Sequence, residues 1–402
     1  MVANVYERPV ADIEARFEPS HDERARQGFV GMLRKRAIID LRQAMKADYE
    51  DNIRPKLERE GRAPKGPHDW RLIEEAMEKE ASYRFYSTLR YHAQEMCFLS
   101  VQPTIERHLP EMIEIARDAA QRNPAGGSLR LNPQLEIPRY VSALDVHLAP
   151  GCFHAEHTAD DVAQGAVVAF GGRVFQSYHP YRKRPGIVGE AVSYWLKMKY
   201  PELKPRRVLD MGTTSGKNLL PYLTTFPGIE AHGIDVGAPV LRFGHAVAEH
   251  EGLPVHFSQQ NAESTDFPDG HFDLIVSSFF FHEVPLKSTR RILKECMRLL
   301  APGGVMAHME LPNEAAVDAY ENFFWNWDTA NNNEPYYTTF RAQDFGELCV
   351  EAGFDRETCF AHLVPDVASF GEERYARFLQ GEIPAPPHGS GGWFVFGARK
   401  GQ

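Results

Sequence analysis

From Arg206 onward the sequence alternates short apolar runs with stretches of helical periodicity, and this alternation limits the fold more than any other feature. The runs are Arg207–Met211, Glu230–Asp235, Val255–Gln259, Phe272–Ser277 and Gly304–Glu310, with two more near Thr358–Val364 and Trp393–Arg399. Strands separated by helices pair in parallel through crossovers, and the helices cover both faces of the sheet. The expected fold class is α/β, with a doubly wound, mostly parallel, seven-stranded sheet. Helices are expected between most of the strands, among them residues 287–300.

The first half reads differently. Phe29, Leu33, Ala37, Ile38, Leu41 and Ala44 recur at helical spacing and predict a helix over residues 20–60. Arg62–Pro67 breaks it. A second helical region runs from about Asp69 to Arg122, with interruptions expected near Pro103 and Pro110. Val141–Leu148 reads as extended, Asp160–Gly171 as a short helix and residues 188–200 as another helix. The Gly-, Pro- and base-rich tract Gly171–Gly189 reads as a linker. A length of 402 residues favours two domains. The division expected is a mainly helical N-terminal domain over 1–185, for capping, substrate binding or dimerisation, and a catalytic domain over 186–402.

Charge narrows the partners. With 45 basic and 55 acidic side chains the net charge is −10, the wrong sign for coating nucleic acid or an anionic membrane. The run Arg182-Lys183-Arg184 reads as a solvated loop. Five scattered cysteines with no C-x-x-C pair suit a reducing compartment. Met1–Pro19 lacks the apolar stretch of a signal peptide, and no apolar run is long enough to span a bilayer, so a cytoplasmic location is expected.

The segment Val208-Leu209-Asp210-Met211-Gly212-Thr213-Thr214-Ser215-Gly216-Lys217 follows an apolar run and opens a helix. Glycines there let backbone pass close to a ligand, and the helix start offers free N–H groups. The segment lacks the G-x-G-x-x-G of a dinucleotide site, which disfavours a nicotinamide oxidoreductase, and the G-K-[ST] of a P-loop. The second strand ends in Asp235, where a carboxylate can bind ribose hydroxyls. Gln260-Asn261-Ala262-Glu263, Ser277-Ser278-Phe279-Phe280-Phe281-His282-Glu283 and Ala301-Pro302-Gly303-Gly304 then follow in order.

This succession resembles the class I S-adenosylmethionine-dependent methyltransferases, a Rossmann-like family, and in particular their small-molecule, ubiquinone-biosynthesis-like branch. The resemblance covers about half of the chain. It implies that Asp210, Gly212 and Gly216 surround the methionine part of S-adenosylmethionine, with Thr214 where the middle glycine usually stands. It implies further that Asp235 holds the ribose, that Asn261 and Ala262 flank the adenine, and that Ser278 and Phe279 lie near the sulfonium. Asn261 stands where an aspartate is common. A direct displacement needs alignment and removal of a proton, and no metal. His282 is the first candidate base, with Glu283 beside it to orient it; packing or capping is the plain alternative for His282.

The expected partner is a small-molecule acceptor with an O, N or S nucleophile; no nucleic acid and no membrane are expected, and self-association would run through the N-terminal helices. Tyr336 and Tyr337, in a polar stretch, and His154, in the loop Pro150–His154, are candidate acceptor contacts. Phe323, Phe324 and Trp327 read as packing a helix onto the sheet. His147, His154, His157, Glu156, Asp160 and Asp161 form the one metal-like group, but H-x-x-H is not the i, i+4 spacing that sets two histidines on one helix face. Pro365–Gly392 reads as a lid or an ordered surface loop. A nucleic-acid or protein methyltransferase is the competing enzyme, disfavoured by Ser277-Ser278-Phe279-Phe280 in place of an [ND]-P-P-[YF] segment. A cofactor-binding interaction protein without chemistry is the other alternative.

Overall fold

The computed structural model describes residues 16–177 and 186–402. Eight strands form one sheet: β1 (Ser128–Arg130), β2 (Arg207–Met211), β3 (Glu230–Asp235), β4 (Val255–Gln259), β5 (Phe272–Ser278), β6 (Leu300–Glu310), β7 (Cys359–Pro365) and β8 (Gly392–Arg399). Their order is β1-β4-β3-β2-β5-β6-β8-β7. Every pair from β1 to β6 is parallel, and β8 runs antiparallel between β6 and β7. The parallel centre is buried on both faces, so β2 and β5 are mostly apolar: Val208, Leu209, Met211, Leu274 and Ile275 have no measurable exposure.

The seven expected strands are present, and the count is corrected to eight by β1. That strand comes from residues ahead of the linker and pairs in parallel with β4, Leu129 opposite Phe257. Gly127 makes the approach possible, because a Cβ there would stand 2.5 Å from the Val255 carbonyl oxygen. Val141–Leu148 is not extended. It holds a helical turn at Arg139–Ser142 and a tight turn at Val146–Leu148 in which His147 and Leu148 take left-handed φ of 59° and 58°. The expected linker is helical at both ends, within Ala163–Gln176 and Ile187–Lys199; its middle, with Arg182-Lys183-Arg184, lies outside the described residues.

The N-terminal helices form a layer against the sheet's own helices. The first runs through His21–Arg59 with two looser, π-type turns, and starts at a reciprocal cap in which Ser20 Oγ accepts from Glu23 N–H and Glu23 Oε2 accepts from Ser20 N–H. Phe29, expected on its packed face, is 60% exposed. The second helical region is broken at Glu78–Glu80 and again at Ser100-Val101; Pro103 sits in the first turn of Gln102–Arg122, where its missing N–H costs nothing, and that helix continues through Pro110. One shared core joins Phe98, Ile105, Val167 and Phe170 to Phe243 and Val247 of the helix Ala238–His250. A second joins Tyr49, Trp70, Ile73 and Tyr86 to Tyr320, Phe323, Phe324 and Trp327. These aromatics therefore pack onto the N-terminal helices and not onto the sheet; Trp327 Nε1 donates to Ser87 Oγ at 2.8 Å.

Gly244, in the middle of Ala238–His250, lets that helix rest on the glycine turn, since a Cβ would stand 2.7 Å from the Ser215 carbonyl oxygen. An alanine in a helix interior normally stabilises by about 1 kcal/mol over glycine. Here overpacking should win, so Gly244→Ala is expected to destabilise by about 1–3 kcal/mol in urea unfolding. A higher midpoint than wild type would show that the contact is not tight.

Candidate active site

In a doubly wound sheet the ligand crevice lies beyond the carboxyl ends of the strands, where the strand order reverses. That point is between β2 and β5. Asp210 near the end of β2 is buried and accepts from Thr213 Oγ1 at 2.7 Å; burial, opposed by that bond, pushes its carboxyl up to about 7. Asp235 ends β3 and accepts from the N–H groups of Thr214 (3.0 Å) and Gly237 (2.9 Å). Burial pushes it up to about 6 against those bonds. Thr214, at the position expected for a glycine, takes φ of 49°, a conformation costly for a β-branched residue. Its N–H bond to Asp235 helps to hold it there. Gly212 and Gly216 also have positive φ, and the faces a Cβ would occupy lie against the rings of Phe280 and Phe257. Ala262 is buried, and Asn261 Oδ1 accepts from Glu263 N–H at 2.9 Å. An open cleft of about 320 Å³ lies beside Asn261, lined also by Arg130, Asn132, Gln259, Gln260 and Asp266.

Beyond β5 the chain turns sharply. Phe279 takes φ of 56°, and its N–H bonds the Met309 carbonyl at 2.9 Å. Glu310, which ends β6 with no measurable exposure, gathers the turn: it accepts from Phe280 N–H (2.7 Å), Phe281 N–H (2.5 Å) and His282 Nδ1 (2.6 Å). The partner that orients His282 is thus Glu310, and the expectation that Glu283 does so is corrected. Two adjacent residues in such a turn point apart, and Glu283 Oε1 instead meets His147 Nε2 at 2.8 Å.

His147 connects two acids. Its Nδ1 lies 2.9 Å from Glu334 Oε1, and Glu334 Oε2 lies 3.6 Å from His282 Nε2. A relay results, Glu283–His147–Glu334–His282–Glu310. Burial acts against charging His282, but Glu310, Glu334 and Glu283 outweigh it and raise its pKa to about 9. In the same way Glu334 and Glu283 hold His147 well above its ordinary value against burial. The surrounding acids thus favour the charged form of both rings. His282 is therefore a proton donor in this setting, with both nitrogens directed at carboxylates.

The other expected contacts are dispersed. Tyr337 starts the helix Tyr337–Arg341, is 3% exposed and packs its ring 5.5 Å from His282, so it lies beneath the relay; Tyr336 is half-buried. His154 is half-buried, burial lowers its pKa, and its Nδ1 has no partner. It stands next to Phe153, whose carbonyl oxygen would be 2.3 Å from a Cβ on Gly237, so the loop Gly151–His154 rests on the segment after Asp235. The metal-like group comes apart: Glu156 pairs with Arg242, Asp160 with Arg117, and Asp161 accepts from the N–H of His157 and Ala163. Among the described residues no group of three or more His, Cys, Asp or Glu is placed to hold a metal ion. The lid segment contains two short helices, Val367–Phe370 and Glu372–Leu379, and brings His388 within 6.4 Å of the Phe279 ring. Of the two residues that build the relay, His147 was singled out in the sequence only as part of the metal-like group, and Glu310 carried no functional reading. They lie 163 positions apart, and no local motif connects them.

A buried carboxylate after β3, a left-handed turn after β2 and a polar cleft after β4 suit a ligand with a diol, an amino-acid group and a heterocycle. Residues 208–304 match the methyltransferase domain family. A demethylmenaquinone methyltransferase of Thermus thermophilus is 36% identical over 111 residues, 28% of this chain and 50% of that protein. A ubiquinone/menaquinone biosynthesis C-methyltransferase of Vibrio campbellii is 33% identical over 125 residues, 29% and 47% of the two. The chain spans about half the length of the curated relatives it matches. A SAM-dependent methyltransferase structure from Methanosarcina mazei is 21% identical, with a TM-score of 0.37, covering 51% of this chain and 97% of that one. The matched segment carries the glycine turn, Asp235, Asn261 and the turn after β5, and it is methyltransferase-like in sequence. Its relatives include ubiquinone- and menaquinone-biosynthesis methyltransferases.

The histidines give stability a pH signature. His282 has a folded pKa raised to about 9, so its stabilisation is complete below its ordinary value of 6.5 and is lost as pH rises through about 9. His308, fully buried, is depressed to about 3 by burial, so it contributes stability above 6.5 that is lost as pH falls toward 3. His282→Gln should therefore flatten the decline in urea midpoint between pH 7 and 9.5, whereas His308→Gln should flatten the decline below 6.5. Unchanged slopes in both variants would contradict these protonation states.

Proposed function

We propose that this protein transfers the methyl group of S-adenosylmethionine to a small-molecule acceptor in a single displacement. The observation that carries the reading is the buried Asp235 carboxylate at the end of β3, beside the left-handed Thr214 and the glycine turn at the reversal of strand order. In this reading Asp235 binds the ribose hydroxyls, Asn261 and Ala262 the adenine, Asp210 with the turn Gly212–Gly216 the amino-acid end, and Ser278 and Phe279 border the reacting centre. When bound, the cofactor supplies an electrophilic methyl on sulfur; the carbon–sulfur bond breaks with its electron pair going to sulfur, as the bond to the acceptor forms. The acceptor's proton goes to Glu283, an acid at the crevice rim, because His282 is already protonated. His282 and Glu310 keep the turn beneath in register.

The relatives' names point to a quinol-type ring as the acceptor, and the half-buried rings of Phe279 and Trp325 with the His388 loop make an apolar rim suited to one. Residues 186–402 are the catalytic domain in this proposal, and 1–185 cap it, bringing His147 and His154 to the crevice. Tyr336 borders the acceptor side. A cytoplasmic enzyme of small-molecule metabolism fits the composition; among the described residues no helix is long and apolar enough to cross a membrane. Phe29 and Met32, 60% and 63% exposed on the first helix, are where two copies would meet.

Thermal-shift titration tests the cofactor. At about a hundred times its dissociation constant a ligand stabilises by roughly 2.7 kcal/mol, a shift of about 2–4 °C in a protein this large. S-adenosylmethionine and S-adenosylhomocysteine should give that shift, NADH none, and Asp235→Ala should abolish it. No response of the folded wild type to either adenosyl ligand defeats the proposal. With reduced 1,4-naphthoquinone as acceptor, Glu283→Gln should lower turnover at saturating cofactor by about a hundredfold; turnover equal to wild type would remove Glu283 from the proton path.

A further inference from the structure

The relay is one positive charge short. Glu283, Glu334 and Glu310 are three carboxyl groups, and His147 and His282 can supply at most two positive charges against them. The neighbouring groups do not correct the shortfall. Asp328 and Arg90 neutralise one another through two bonds of 2.8 and 2.7 Å. Arg341, bonded to Asn322, Asn326 and the Pro312 carbonyl, is offset by Glu314. A buried site with an excess carboxylate is complementary to a cation.

That excess faces the cofactor crevice. Glu283 is the relay's outermost acid, and it ends the turn whose Phe280 ring lies against Gly212. Its charge is felt across the crevice by both Asp235 and Cys152. The reaction changes the cofactor's charge there, from a sulfonium to a neutral thioether. We propose that the relay reads this change, holding the cationic cofactor through the surplus carboxylate charge centred on Glu283 and releasing the neutral product, with His147 setting the size of the surplus. The inference rests on the methyltransferase reading and adds to it a discrimination that a purely shape-based pocket would lack, since the two ligands differ by one methyl group.

The test is calorimetric titration of wild type, Glu283→Gln and His147→Asn with S-adenosylmethionine, S-adenosylhomocysteine and sinefungin, which bears an ammonium near the sulfonium position. Asparagine is chosen at 147 because it tolerates the left-handed backbone there. The measured quantity is the ratio of the product's Kd to the cofactor's. Glu283→Gln should lower it by on the order of tenfold, as expected for one charge at intermediate dielectric. His147→Asn, which removes a cation, should raise it, and sinefungin should follow the cofactor in every variant. A loosened structure would weaken both ligands together and leave the ratio alone. A ratio within twofold of wild type in Glu283→Gln therefore overturns the inference while leaving the methyltransferase reading in place. Should that variant not fold, wild type binding sinefungin no tighter than S-adenosylhomocysteine overturns it equally. Wild type that binds neither adenosyl ligand fails the underlying reading instead.

Discussion

The carboxylate of Glu310 is the interaction on which the crevice depends. It ends β6 with no exposure, and it satisfies the N–H groups of Phe280 and Phe281 and one nitrogen of His282 at once. Those two N–H groups lie just past β5, where the sheet no longer supplies acceptors, and buried donors without partners are costly. A single ionised acceptor with several donors is the strong form of such a contact. Because it fixes the turn, it sets Phe280 against the glycine turn, His282 against Glu334 and Glu283 outward toward His147.

The sheet was legible because its strands carry their own signal. Buried parallel strands are largely apolar runs: β2, β3 and β4 coincide with the expected ranges, β5 ends one residue later and β6 begins four residues earlier. β1 was not legible: three residues, half-exposed, give no periodicity, and their only reason to be extended is the neighbouring edge of β4. The same holds for Val141–Leu148, which reads as extended, but His147 and Leu148 take left-handed φ, His147 with bonds to Asn332, Glu283 and Glu334 that no local pattern contains.

The site divided along a similar line. Asp210, Gly212, Gly216, Asp235, Asn261 and Ala262 follow strand ends, so reading the strands located them. His282 was found for its place after β5, but its protonation state was not readable, because it is set by Glu310 and Glu334, 28 and 52 positions away. Adjacency misled at Glu283, since neighbouring side chains in a tight turn diverge. Aromatic clustering at residues 323–327 reported a real core, though one made with helices some 240 positions earlier, which composition alone does not identify.

The placement of β8 bears on how the chain folds as it is made. β8 spans Gly392–Arg399, yet it lies between β6 and β7 and is hydrogen-bonded to both. Until residue 399 has left the ribosome, β6 has one unpaired edge and β7 no partner in the sheet. Synthesis at roughly 5–20 residues per second leaves the apolar strand Val305–Met309 waiting for several seconds with that edge open. The nascent protein therefore passes through a stage that invites edge-to-edge association with other chains, and its exposure to aggregation is governed by elongation rate and by whatever covers β6 before the last strand arrives.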